Sequence, residues 1–267
     1  MKVDEKFLGK NLLRNKGDIL IGRNAVKEAI LSGREINSIL LAAGSKQGAL
    51  GGIFRLAKEQ KIPVKEVNAK KLELLCDTTT HQGIIAMVAA HKHATVDEIL
   101  DVAKQKNESP FIIILDGISD PHNLGAIIRT AECAGAHGVI IPMRRSVGLN
   151  FTVAKSSAGA LEHIKVARVT NIAMTLDNLK KLGLWIYGAD MDGENYCQTD
   201  LSGAVALVIG SEGFGISRLA KEKCDFIVSI PLCGKINSLN ASVAAGVIMC
   251  EVARQRLGLS LKNGQEG

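Results

Sequence analysis

The feature that most limits what this chain can fold into is an alternation of short, uninterrupted apolar runs with helix-patterned stretches. Residues 111–115 and 204–209 are apolar at every position. A strand with one wet face would alternate apolar and polar residues, so continuous runs between helices require a parallel sheet covered on both faces. The pattern predicts strands over 111–115, 139–141, 164–169, 184–189, 204–209 and 226–230, with helices near 121–136, 152–161, 172–182, 216–221 and 239–257. In such sheets ligands bind beyond the carboxyl ends of the strands, so the loops there are where chemistry is to be sought.

A smaller α/β unit precedes it. Over 18–90, helix-like segments at 24–32, 50–60 and 69–75 separate β-rich runs at 36–41, 63–67 and 83–89. Residues 91–109 are polar and charged, with one amphipathic stretch at 95–103, and read as a linker. The expected organisation is an extension (1–17), a first domain (18–90), the linker, a second domain (110–258) and a tail (259–267).

No apolar run approaches the roughly 20 residues that a membrane-spanning helix needs. The first six residues mix acids with bases and have no apolar core, so the expectation is a cytoplasmic protein. Six scattered cysteines lack metal-site spacing, and His81, His91 and His93 have no carboxylate or thiol to complete a set, so no metal is expected. The net charge of +6 is uneven: residues 1–108 hold 18 Lys/Arg against 13 Asp/Glu, and the remainder 15 against 14. A basic first half suits a polyanionic partner and equally a solvated lysine-rich surface.

Three loops stand out. In Asp120-Pro121-His122-Asn123-Leu124-Gly125, the Asp-Pro pair is a good helix start, placing Asn123 in or beside the first turn. Gly125, Arg129 and Glu132 then share one helix face, which fits a close backbone approach beside a guanidinium or simply a surface Arg129–Glu132 pair. In Gly210-Ser211-Glu212-Gly213-Phe214-Gly215 the glycine spacing reverses that of a dinucleotide loop, and a carboxylate at the turn would repel phosphate. In the third loop, from Ile230 to Gly246, Ser238 is the expected N-cap, with Asn240 in the first turn and small residues following.

In this order, at three strand ends, these loops resemble the SPOUT class, specifically the TrmH-like RNA ribose 2′-O-methyltransferases. The matching segments are Asn123-x-Gly125-x3-Arg129, Gly210-Ser211-Glu212-Gly213, and Ile230-Pro231 followed by Ser238-Leu239-Asn240. Ile21-Gly22-Arg23-Asn24 and His81-Gln82-Gly83 look like the substrate-binding domain of the RlmB-like branch. The resemblance implies a trefoil-knotted, parallel-sheet α/β domain working as a homodimer, with S-adenosylmethionine held by Gly210, Ile230, Leu232 and Leu239 and flanked by Ala189 and Gly188. It implies that Arg129, Asn123, Glu212, Ser238 and Asn240 are catalytic, Glu212 and Asn240 positioning Arg129 or the ribose. A guanidinium, with a pKa above about 12, suits alkoxide stabilisation or a phosphate grip better than proton abstraction.

The reaction so implied is rRNA modification, methylation of a guanosine ribose in large-subunit (23S) rRNA. The alternatives are tRNA guanosine, rRNA adenosine, or a non-catalytic RNA-binding assembly factor. Arg23, Lys27, Arg34, Lys46 and Arg55 in the first domain are candidate phosphate contacts, with Arg144 and Arg145, beside Lys155, a second set. Aromatic residues are 3% of the chain, too few for a broad base-stacking platform.

Overall fold

The computed structural model describes residues 19–44, 50–76, 80–88, 92–236 and 238–259. The expected extension, Lys46, His91 and all of the tail but Leu259 lie outside them. The chain divides into two compact units, Met1–Lys92 with Gly148–His163, and His93–Val147 with Ile164–Gly267.

The first unit runs β1 (Ile19–Ile21), α1 (Arg23–Leu31), β2 (Ile36–Ala42), α2 (Gly51–Glu59), β3 (Val64–Val67), α3 (Ala69–Cys76) and β4 (Ile84–Val88). Its sheet has the order β1-β4-β2-β3, with only β2 and β3 parallel. The period of two along each strand sorts side chains between faces. Ile39, Leu41, Ile84 and Ala86 pack with α1 and α2, while Ile85 lies with Ile19, Ile21 and Leu72 on the other side. The two family-like segments meet at the start of α1: the Gln82 carboxamide oxygen accepts from the Arg23 amide at 2.9 Å. His81 is buried and accepts from the Gly83 amide through Nδ1 at 3.0 Å, a turn contact.

The stretch 148–163 packs with this unit. The helix expected over 152–161 breaks into α6 (Phe151–Ser156) and a 3₁₀ turn (Ala160–Glu162), because Ala158 and Gly159 take left-handed φ of 50° and 99°. Ala154 joins the first unit's core, Glu162 pairs with Arg34, and the His163 ring lies 3.0 Å from Glu28.

In the second unit the stretch read as a linker carries α4 (Val96–Lys106), started by a reciprocal Thr95–Glu98 capping box. Ile99 lies so close over Gly138 that a β-carbon there would sit 2.5 Å from it. The charged outer face of α4 masks this buried stripe in the composition. There follow β5 (Phe111–Asp116), α5 (Pro121–Cys133), β6 (Gly138–Pro142), β7 (Lys165–Val169), α7 (Ile172–Lys181), β8 (Trp185–Asn195), β9 (Val205–Gly210), α8 (Arg218–Lys221), β10 (Phe226–Ser229) and α9 (Ala241–Arg256).

All six strands are parallel, in the order β10-β8-β9-β5-β6-β7, as the continuous apolar runs require. After β5 the chain builds outward through β6 and β7; after β9 it leaves in the opposite direction, to β10. The switch therefore falls between β5 and β9, opening a crevice at their carboxyl ends. Strand β8 is longer than expected. Its pairing with β10 jumps from Ile227↔Gly188 to Val228↔Glu194, so β8 bulges between them, while Ala189 stays paired with Ile209 of β9 and Gly193 stays tight against Ile227. Among the described residues, no helix is long and apolar enough to cross a membrane.

Candidate active site

The crevice receives one polar side chain from each of the three loops. Asp120 caps α5, its carboxylate accepting from the His122 and Asn123 amides at 3.1 and 3.2 Å. With Pro121 starting the helix, Asn123 falls in the first turn and is only 7% exposed. A buried amide needs partners. Asn123 donates from Nδ2 to Glu212 Oε1 at 2.7 Å.

Glu212 stands on a tight turn at the end of β9, in which Ser211 and Gly215 exchange backbone hydrogen bonds of 3.0 and 2.9 Å. The chain folds back so closely that a β-carbon on Gly210 would lie 2.0 Å from the Gly215 carbonyl carbon. That glycine is thus required by the chain's own return. Asp116, ending β5, accepts from the Ser217 amide at 2.8 Å and ties the turn to the neighbouring strand.

The third loop corrects an expectation: Asn240, not Ser238, caps α9. Its Oδ1 accepts from the Ser242 and Val243 amides at 2.9 and 3.3 Å and from the Ser242 hydroxyl at 2.6 Å. The cap fixes the carboxamide so that Nδ2 donates to Glu212 Oε1 at 2.7 Å and to Asn123 Oδ1 at 3.1 Å. The result is a closed Asn123–Glu212–Asn240 triangle. Glu212 Oε1 takes both donors, and its second oxygen has no partner among the described residues.

Beside the triangle lies a cavity of about 550 Å³, within the range of small-molecule sites. Its walls include Ala189, Ile209, Gly210, Val228, Ile230, Leu232, Ser238, Leu239 and Ile248, with Glu212 and Asn240 at the polar side. Five of the six residues matched to cofactor binding are among them. Gly188 is not: it is buried, and a β-carbon there would meet Cys224 Sγ at 2.8 Å. Burial pushes the Cys224 thiol up to about 11.

Asp190, also in the wall, lies on the bulged part of β8 that the strand pattern missed. Burial alone would raise its carboxyl, but Lys221 at 2.9 Å and the Met191 amide outweigh that and hold it below its usual range. Doubled acids around a glycine, Asp190-Met191-Asp192-Gly193, were the signal in the sequence.

Arg129 stands apart. It is exposed on α5, does not line the cavity and has no hydrogen-bond or ion-pair partner among the described residues, Glu132 included. Glu212 and Asn240 position Asn123 and each other, not this arginine. Of the candidate RNA contacts, Arg23, Lys27, Arg144 and Arg145 are exposed, and Arg55 is exposed with Glu59 3.9 Å away. Arg34 differs: its side chain is 12% exposed and engaged by Glu162. Lys155 lies in the first unit, donating to Thr80 Oγ1 at 2.9 Å, whereas Arg144 and Arg145 belong to the second. No cluster of His, Cys, Asp and Glu suited to a metal occurs among the described residues.

Comparison with known proteins bears on both units of the chain. Residues 110–250 match the SpoU rRNA Methylase family, and residues 19–94 match the RNA 2′-O ribose methyltransferase substrate binding family. The Bacillus subtilis protein YacO, named as a TrmH family tRNA/rRNA methyltransferase, is 50% identical over 240 residues, 90% of this chain and 96% of that protein. A Staphylococcus haemolyticus protein named for the same family is 48% identical over 89% of this chain and 96% of its own. The solved structure of the SpoU methyltransferase AviRb from Streptomyces viridochromogenes, in complex with AdoMet, shares the fold with a TM-score of 0.79 at 24% identity, covering 96% of this chain and 100% of that one. The chain belongs to the SpoU (TrmH) family of RNA methyltransferases.

Proposed function

We propose that the protein transfers a methyl group from S-adenosylmethionine to a ribose 2′-hydroxyl of RNA, at a guanosine of large-subunit rRNA. The observation that carries this reading is the Asn123–Glu212–Asn240 triangle at the edge of the 550 Å³ cavity. The cavity suits the cofactor: Ile209, Ile230, Leu232 and Leu239 offer apolar surface for an adenine, and the β9 turn offers backbone groups beside it. S-adenosylmethionine would supply an electrophilic methyl group there.

The residues of the chain then orient the attacking oxygen. A ribose hydroxyl is a weak acid, so catalysis needs acceptors that hold it and charge that steadies the developing alkoxide. Glu212 is held by two amides through one oxygen, which leaves the other to accept the hydroxyl. Arg129 supplies the positive charge. Because it does not line the cavity of its own chain, a second copy presents it. Helix α9 carries exposed Val243 and Cys250, with partly buried Gly246 between them turned toward Thr130 of α5, and a two-fold-related copy can cover the exposed pair. The protein is read as such a homodimer, with the knotted connection of its family.

The N-terminal unit, matched to an RNA substrate-binding family, supports RNA as the target, with exposed Arg23 and Lys27 gripping phosphates without reading sequence. Mass mapping of ribose methylation in cells with and without the gene tests the reading. One 2′-O-methylguanosine should vanish from the large-subunit rRNA. A loss confined to tRNA, a lost methyladenosine, or an unchanged map would overturn the substrate assignment.

A further inference from the structure

Phe214 is 93% exposed, in a chain with only six phenylalanines, two tyrosines and one tryptophan. Its position is imposed by the backbone. Gly213 and Gly215 take φ of 82° and 65°, and the Ser211–Gly215 hydrogen bonds close the turn beneath the ring. Glu212, Gly213 and Gly215 line the cavity while Phe214 does not, so the ring stands on the outside of the rim, two residues from the Glu212 carboxylate.

We infer that Phe214 is a stacking platform for a nucleobase of the RNA, next to the ribose that Glu212 receives; this rests on the ribose-methylation reading of the site. An aromatic face in water gains by covering a base, and such stacking tolerates any base because each has a π-face. The surroundings favour a nucleotide over a protein surface. The turn is otherwise glycine, serine and glutamate, and Arg218, four residues on, has its side chain 84% exposed, with Glu222 3.5 Å away as a surface partner that a phosphate can replace. Ring and guanidinium together meet the base and the phosphate that a single-stranded RNA presents. Phe214 is thus a positioning residue that fixes the RNA strand, in a protein too poor in aromatics to use a wider platform.

The test is the affinity of full-length protein for fluorescently labelled, unmodified large-subunit rRNA fragments, alongside steady-state methyl transfer to them. Phe214→Ala should weaken RNA binding and raise KM for RNA by roughly five- to a hundredfold, with kcat and S-adenosylmethionine affinity unchanged. Phe214→Trp should retain wild-type KM, while Phe214→Leu, apolar but without a π-face, should behave as the alanine variant. Unchanged RNA affinity in Phe214→Ala, or full function in Phe214→Leu, overturns the inference. So does a loss that sedimentation traces to monomers and that high protein concentration reverses, since the ring would then be covered by a second copy. Wild-type protein that binds RNA without methylating it would refute the enzymatic reading alone, leaving the ratio of affinities to decide on Phe214.

Discussion

Asn123 and Arg129 lie six residues apart on one helix and are held in opposite ways. Asn123 is buried in the first turn, positioned by the Asp120 cap and bonded to Glu212 and Asn240. Arg129 is exposed and has no such partner among the described residues. The same division runs through the first unit: Arg34 is satisfied by Glu162, whereas Lys27 faces solvent. Groups whose partners are in the chain build and pre-align the molecule. Charged groups left without partners are those on which another molecule, RNA or a second copy, can act.

Substitutions separate the two kinds. The largest effect is expected at Arg129→Ala, with methyl transfer reduced by about 10²–10³ and folding and cofactor affinity intact, read by single-turnover kinetics and calorimetry. Undiminished transfer would remove Arg129 from the reaction. Arg34→Ala should do the reverse. Leaving Glu162 buried without its partner should cost about 3 kcal/mol of stability, measured by urea denaturation. A variant of normal stability that binds RNA poorly would return Arg34 to the phosphate contacts.

A smaller effect follows from His137, whose ring accepts from the Phe111 amide at 2.9 Å and lies 3.0 Å from Glu108. Burial depresses its pKa against the opposing pull of Glu108, so the folded state holds the proton less well than the unfolded chain. Its contribution is therefore complete above about pH 6.5, the ordinary histidine value, and is lost as the pH falls below that. Thermal denaturation from pH 7.5 to 5.5 should show a decline that His137→Gln flattens; parallel curves would contradict it. The smallest effect belongs to Lys27→Ala, which should reduce the slope of log affinity against log salt for RNA by about one, with sequence preference unchanged.

Much of this was legible in advance, for identifiable reasons. Apolar-rich runs, uninterrupted over 111–115 and 204–209, marked the six strands, and Asp120-Pro121 marked the start of α5. The three site loops could be found because capping and glycine chemistry is local. What escaped was non-local. Ser238 and Asn240 are both good caps, and only the Glu212 and Asn123 contacts select Asn240. The amphipathic stretch inside 91–109 was visible, but not what its apolar side packs on: Gly138, far along the chain, admits Ile99. Arg34 looked like a free cation because Glu162 is distant in sequence, and Gly188 looked like a cavity residue because strand position does not reveal which face Cys224 covers.

The division between Asn123 and Arg129 is tested most directly by mixing two inactive variants, Arg129→Ala and Glu212→Ala, and measuring methyl transfer to rRNA after subunit exchange. If the arginine of one copy serves the cavity of the other, each mixed dimer regains one site with both residues intact, and activity returns. If the mixture stays as inactive as either variant while exchange is verified, Arg129 acts within its own chain, and its presentation by a second copy is wrong.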